Sequence, residues 1–338
     1  MITSETFQTG VQSPLPWHHS AWQQLLTQQR SGRLAHAYLL QARPGSGRRQ
    51  FAQALASWLL CEQARARDTA CGKCPQCLLQ ASGPHPDLLM VTPEADSKAI
   101  KIDSIRQMGN FIQQTAHQAD ALKIVLICPA EGMGIAAANS LLKNLEEPPG
   151  RSLFLLLADV GGHLLPTLRS RCQPLMLGEA DNDQALRWLA EHTSAAEGEL
   201  QQAVALAPGA PMLALRLLEH GVPTWRAVLE ERLHGLESGQ LSAHEVARHC
   251  EKIGGQPAAG YAIQFMQDRI RQEASQRLAH DSANTAAALR ALTDYHRSLQ
   301  DVNKRLLSGA NPNVVLSLES LLSAWVAYRR QTTDSQHR

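Results

Sequence analysis

Five short apolar runs, at 37–41, 87–91, 123–128, 153–158 and 174–177, alternate with stretches of helical periodicity over the first half of the chain. Strand-length runs of this kind, separated by helices, predict a parallel sheet covered on both faces. The sheet domain should end near Gly178. From Asn182 the apolar runs cease and helical spacing takes over. Ala185, Trp188 and Leu189 mark one helix face, and Leu200, Val204 and Leu206 another, before Pro208-Gly209-Ala210-Pro211 interrupts the pattern. After Gly221-Val222-Pro223 the chain reads as helix, with stretches at 263–278, 286–307 and 314–328 and a Gly-Ala-Asn-Pro break at 309–312. The predicted organisation is α/β, then all-α. Its segments are 1–178, a small helical lid at 179–221, and a helical domain at 222–338.

Two or three domains suit 338 residues. Lys and Arg number 32 against 31 Asp and Glu, a net charge of +1, which gives no electrostatic case for bulk nucleic-acid or membrane binding. Residues 1–16 are polar, without a basic stretch followed by an apolar core, so no signal peptide is expected and the tail should be mobile. The most apolar segment, 153–157, is far too short to span a bilayer.

Four of the seven cysteines cluster in "CEQARARDTACGKCPQC", where Cys61, Cys71, Cys74 and Cys77 have the spacing C-x9-C-x2-C-x2-C. Four thiolates at such spacing suit tetrahedral Zn²⁺ with every position filled by protein, a structural site without room for a substrate. A redox C-x-x-C pair would have two cysteines at a helix start rather than this set of four. Clustered cysteines of this type indicate an intracellular metal site, and hence the cytoplasm, rather than a disulfide framework. Cys128, Cys172 and Cys250 stand apart and read as buried thiols. The fourteen histidines are scattered. His36 and His85 should make loop hydrogen bonds, and His18 and His19 should be exposed ahead of a helix.

The stretch "YLLQARPGSGRRQFAQALASWLL" has the strand–turn–helix layout of a phosphate-binding loop with the wrong chemistry. A G-x-x-x-x-G-K-[ST] loop needs a first glycine where this chain has Ala42. It also needs a lysine and a hydroxyl where Arg48 and Arg49 follow Gly45 and Gly47. Arg49 would place a cation where a neutral Mg²⁺ ligand belongs. A second strand should end in Asp-Glu, but "KIVLICPAEGM" ends in Cys128-Pro129, and Glu131 should lie off the strand end. The remaining capacity of the loop is for a bare phosphate or sulfate beside Arg48 and the helix N-terminus.

Downstream, "LLKNLEEPP" at 141–149 together with Ser170-Arg171-Cys172 resembles the AAA+ clamp-loader ATPases, whose bacterial branch shares the four-cysteine insert. The resemblance covers nearly the whole chain, strongly over 37–172 and only architecturally in the C-terminal helices. It implies an AAA+ P-loop-type parallel sheet with a zinc module at 61–77, a helical lid, and a C-terminal helical collar that packs against its counterparts in other subunits. It also places the family's first sensor near Ala158 and its second at Met212, so both sensor positions lack the polar group. With the Mg²⁺ ligand, acid and base gone as well, no ATP binding or hydrolysis is expected, because charge stabilisation and metal assistance carry nearly all of phosphoryl transfer.

The resemblance implies a role for Arg171 that spacing alone does not. In this family that arginine lies at the subunit boundary and reaches a neighbour's ATP site as a finger supplied in trans. The expected function is a non-hydrolysing subunit of the bacterial DNA polymerase III clamp loader. Its partners would be the gamma/tau-type ATPase subunits and the delta subunit and, indirectly, the sliding clamp and primed DNA. The rivals are an active ATPase of the gamma/tau type and a zinc-dependent nucleic-acid-binding module. Glu146 and Glu147, at a helix end, read as salt-bridging or solvated acids, and Arg169 as a solvated charge.

Overall fold

The computed structural model describes residues 11–94, 97, 99–114, 122–279, 285–307 and 313–334. The break at 309–312 and residues 1–10 of the tail lie outside them. Five strands, β1 (Ala37–Ala42), β2 (Leu88–Val91), β3 (Lys123–Ile127), β4 (Ser152–Asp159) and β5 (Gln173–Met176), form one sheet in the order β2-β3-β4-β1-β5. Every neighbouring pair is parallel. Each expected run becomes a strand, with ends shifted by a residue or two.

The helix α1 (His19–Arg30) precedes the first strand, and helices fill the crossovers that parallel strands require: α2 (Arg48–Leu60), α3 (Pro75–Ser82), α4 (Ile102–Gln113), α5 (Ile135–Glu146) and α6 (Pro166–Arg169). Successive side chains of a strand point to opposite faces, so the sheet feeds two cores. Tyr38, Leu40, Leu126, Leu155 and Leu157 pack with Trp22, Phe51 and Trp58 of α1 and α2. Leu39, Val125, Ile127, Phe154 and Leu156 pack with Met108 of α4 and with Leu141 and Leu145 of α5. Lys123 Nζ and Asp87 Oδ1 form an ion pair at 3.2 Å in this domain, with both side chains buried.

Beyond the sheet lie α7 (Asn182–His192), α8 (Glu197–Leu206) and α9 (Pro211–Glu219). The start of α7 is set by a capping box. Gln184 N donates to Asp181 Oδ1 at 2.7 Å, and Asp181 N donates to Gln184 Oε1 at 3.2 Å. The chain divides into two compact units between Arg216 and Leu217. The second unit holds α10 (Val222–Glu237), α11 (Ala243–Ala279), α12 (Thr285–Leu307) and α13 (Val314–Asp334). Its core gathers Leu233, Phe265, Met266, Leu299 and Tyr295 with the fully buried Trp325. Trp325 Nε1 donates to Glu237 Oε1 at 2.8 Å, which satisfies its one polar group. Among the described residues no helix is long and apolar enough to cross a membrane.

One expectation fails here. His18 is fully buried, its ring edge-on to Phe51 with centroids 5.3 Å apart and to Trp17 at 5.8 Å. Burial lowers its pKa from the usual 6.5 to about 4, with the Ser46 backbone opposing the shift. His19 is exposed as expected. Two adjacent histidines in a polar segment gave no sign of which one would turn inward.

Candidate functional site

The loop after β1 lies at the carboxyl end of the parallel sheet, where open α/β folds bind ligands. Gly45 and Gly47 have φ of +80° and +92°, left-handed values that favour glycine. Gly45 O accepts from Met212 N at 3.0 Å and from Leu213 N at 3.3 Å, so the start of α9 is seated directly on the loop. Trp17 Nε1 donates to Ser46 O at 2.7 Å. A β-carbon on Gly47 would lie 2.2 Å from Leu15 Cδ1 and 3.4 Å from Met212 Cγ. Leu15, within the segment 1–16 expected to be a mobile tail, therefore packs on the loop, and Trp17, just beyond that segment, is bonded to it.

Arg48 and Arg49, which follow the loop at the start of α2, both have partners within the chain. Arg48, expected to be open to a bare phosphate, pairs with the Asp159 carboxylate at the end of β4. Its side chain is only 12% exposed. Arg49 Nε donates to Cys128 Sγ at 3.1 Å, immediately beyond the end of β3. Glu131 lies on a short 3-10 turn past the strand, as expected, but its carboxylate folds back to accept from Asp159 N. Burial raises the Glu131 pKa, and the nearby Arg48 charge opposes that rise. The two positions that the resemblance assigns to the sensors are Ala158, which is buried, and Met212, which is half-buried and whose backbone N–H donates to Gly45 O. Sequence reasoning missed Asp159 and Leu15. An acid ending an apolar strand was the available clue for Asp159; nothing in the sequence marked Leu15.

The cysteine cluster does converge. Cys61 caps α2, Cys71 and Cys74 lie in the insert, and Cys77 sits on α3. Their four sulfurs lie within 4.8 Å of one another, with Cys61–Cys74 and Cys71–Cys77 both at 3.9 Å. A tetrahedron with Zn–S bonds of about 2.3 Å needs sulfurs about 3.8 Å apart, so the residues fit a tetrathiolate metal ion. Backbone N–H groups of Gln63 and Cys71 point at Cys61 Sγ (3.4 and 3.3 Å), and that of Cys74 at Cys71 Sγ (3.3 Å). Such donors favour thiolates. The thiols differ in environment: backbone donation, from Lys73 first, lowers Cys71 to about 6, whereas burial pushes Cys61 and Cys77 up. The insert is stapled to the helices by Trp58 Nε1 to Arg67 O (2.8 Å) and Trp22 Nε1 to Asp68 O (2.9 Å). Cys128, Cys172 and Cys250 are buried, as expected.

Arg171 follows the single turn of α6, between Leu168 and Cys172, which pack in the core shared with α4 and α5. Its Nε donates to Glu146 Oε1 at 2.7 Å, and its NH1 nitrogen donates to Thr167 O at 3.0 Å. Its side chain stays 35% exposed. Glu146 is thus salt-bridging, and Arg169 is exposed. His36 Nε2 bonds Leu145 O at 2.9 Å and His85 Nε2 bonds Gln76 Oε1 at 2.8 Å, the loop hydrogen bonds expected of them.

Comparison with known proteins gives a consistent result. Residues 17–181 match the family described as "DNA polymerase III, delta subunit". The chain is 35% identical over 329 residues to the DNA polymerase III subunit delta' of Pseudomonas aeruginosa, covering 92% of this chain and 97% of that protein. It is 38% identical over 209 residues to the subunit delta' of Yersinia pestis (60% of this chain, 61% of that one). Against the Escherichia coli K12 subunit delta' it is 35% identical over 204 residues, 60% of each chain.

Proposed function

The chain belongs to the DNA polymerase III delta' family, and on that premise we propose that it is a ring member that hydrolyses no ATP itself and donates Arg171 to an adjacent ATPase subunit. The observation that carries the first half is the occupied loop. In an active site the lysine meets the β- and γ-phosphates, and a hydroxyl and an acid share Mg²⁺. Here Arg48 meets Asp159 and Arg49 meets Cys128, so protein contacts stand where phosphate and metal would be. Leu15 and Met212 fill the space above Gly47. An entering triphosphate would have to displace an ion pair and an apolar side chain, and would gain no metal.

The second half rests on Arg171, whose side chain is partly exposed. A guanidinium supplied by a neighbour neutralises charge that builds on the γ-phosphate, which raises rates by roughly 10³–10⁵ in related chemistry. The partners are gamma/tau-type ATPase subunits and the delta subunit, with the sliding clamp and primed DNA engaged through the assembled ring. We assign 1–178 to the AAA+ α/β domain, 179–221 to the lid and 222–338 to a collar through which subunits associate. The cysteine cluster holds Zn²⁺, which when bound cross-links α2, the insert and α3 without taking part in turnover.

The test has two arms. Calorimetry on the isolated chain with Mg²⁺ and ATP should show no binding; micromolar affinity would instead identify an active ATPase of the gamma/tau type. In the reconstituted ring, Arg171→Ala should fold and assemble yet lower ATP turnover at the neighbouring site by about 10³-fold. Unchanged turnover with each site assayed separately would remove the trans role.

A further inference from the structure

Arg171 does not hang free from the surface. One oxygen of Glu146, Oε1, takes the Nε hydrogen bond at 2.7 Å and also pairs with the NH2 nitrogen. The third nitrogen, NH1, donates to Thr167 O at 3.0 Å and lies 3.4 Å from Ser170 Oγ. Every nitrogen of the fork is therefore held, and the plane of the group is set by one carboxylate from α5 and one turn of its own chain. The side chain keeps about a third of its surface open, so an anion can approach it.

Both ends of this contact stand on fixed ground. Glu146 closes α5, whose Leu141 and Leu145 are buried in the sheet core. The Leu145 carbonyl is tied to His36 Nε2 at 2.9 Å, and Pro148-Pro149 bars any continuation of the helix. Arg171 is flanked by the buried Leu168 and Cys172, and its own N–H donates to Leu168 O at 3.1 Å. A long cationic side chain left alone samples many rotamers, few of which aim at a given point. Pairing with a carboxylate on a rigid helix end removes most of that freedom before any phosphate arrives.

We propose that Glu146 is the positioning residue for Arg171, an inference that rests on the trans role assigned above. The pair is too exposed to matter much for folding, so its loss should be read in turnover rather than in stability.

The test uses the reconstituted clamp loader with sliding clamp and primed DNA, comparing Glu146→Ala, Glu146→Gln, Arg171→Ala and the double variant Glu146→Ala/Arg171→Ala. Misplacing a catalytic group by about 1 Å can cost 10²-fold, so Glu146→Ala should lower kcat by about 10- to 100-fold with little change in the ATP KM. Glu146→Gln keeps an amide oxygen able to accept from Nε and should recover much of the loss. The double variant should turn over no more slowly than Arg171→Ala alone. Wild-type or raised kcat in Glu146→Ala, or a further fall in the double variant, overturns the positioning role even if Arg171→Ala is impaired. Unimpaired Arg171→Ala overturns the trans role, and the positioning role with it.

Discussion

Arg49 Nε and Cys128 Sγ lie 3.1 Å apart, joining the first turn of α2 to the end of β3. In a working nucleotide site the corresponding side chains would be a hydroxyl and an acid with a metal ion between them. The contact spans 79 residues of sequence and leaves no gap for a cation. With the Arg48–Asp159 pair beside it, the loop is completed by its own chain.

Restoring the loop motif should therefore not restore the site. The double variant Arg48→Lys/Arg49→Thr regains the lysine and hydroxyl but leaves Leu15, Met212 and Cys128 in place. We expect its ATP affinity, measured by calorimetry with Mg²⁺, to remain weaker than about 1 mM, with no hydrolysis. Micromolar binding would mean that the two arginines alone close the loop.

The loop glycines should differ in tolerance. Both have positive φ, so alanine is strained at either, by about 1–3 kcal/mol. At Gly45 the new β-carbon would also lie 2.5 Å from Leu213 Cβ and 3.1 Å from Leu213 N, atoms fixed to the α9 backbone. At Gly47 it would meet the end of the Leu15 side chain, which can rotate away. Urea unfolding should place Gly45→Ala below Gly47→Ala; the reverse order would mean that Leu15 is the more rigid contact.

His18 should make the isolated chain acid-sensitive. The unfolded chain takes up its proton near pH 6.5, the folded one only near 4. Stability from this site is whole above pH 6.5 and falls as pH drops towards 4, by about 2 kcal/mol between pH 7 and 5. His18→Leu should flatten that part of the profile in urea titrations at the two pH values. An equally steep profile in the variant would place the sensitivity elsewhere.

Cys74→Ser should lower bound zinc well below about one ion per chain, read by elemental analysis, and lower the thermal midpoint by several degrees. A chelator should lower the wild-type midpoint similarly and leave the variant unchanged. In a fully assembled ring, ATP turnover by the partners should survive the substitution. Its loss would make the metal part of the mechanism rather than of the scaffold.

Local patterns settled much of this protein before any contact was known. Apolar runs marked all five strands, most clearly the central β1, β3 and β4, since a strand buried on both faces is apolar along nearly its whole length: Leu39 faces one core, Leu40 the other. The cysteine cluster was equally legible, because ligands separated by two and nine residues can meet within a single loop. Helix starts were less so. The α5 helix begins at Ile135, six residues before the LLKNLEEPP block. The α11 helix runs past Gly254, Gly255 and Pro257, whose propensities argue against a helix interior.

Tertiary structure alone decided what occupies the loop. The sequence showed that Arg48 and Arg49 are wrong for ATP, but their partners stand 111 and 79 residues away. They meet because the strand order β2-β3-β4-β1-β5 sets β4 beside β1, which brings Asp159 to the loop. Leu15 over Gly47, His18 turned inward, and Glu146 against Arg171 have the same origin. Periodicity reports how a segment meets its surroundings, a property carried by neighbouring residues; which distant side chain completes a contact is set only when the packing of the whole domain fixes strand order and helix ends.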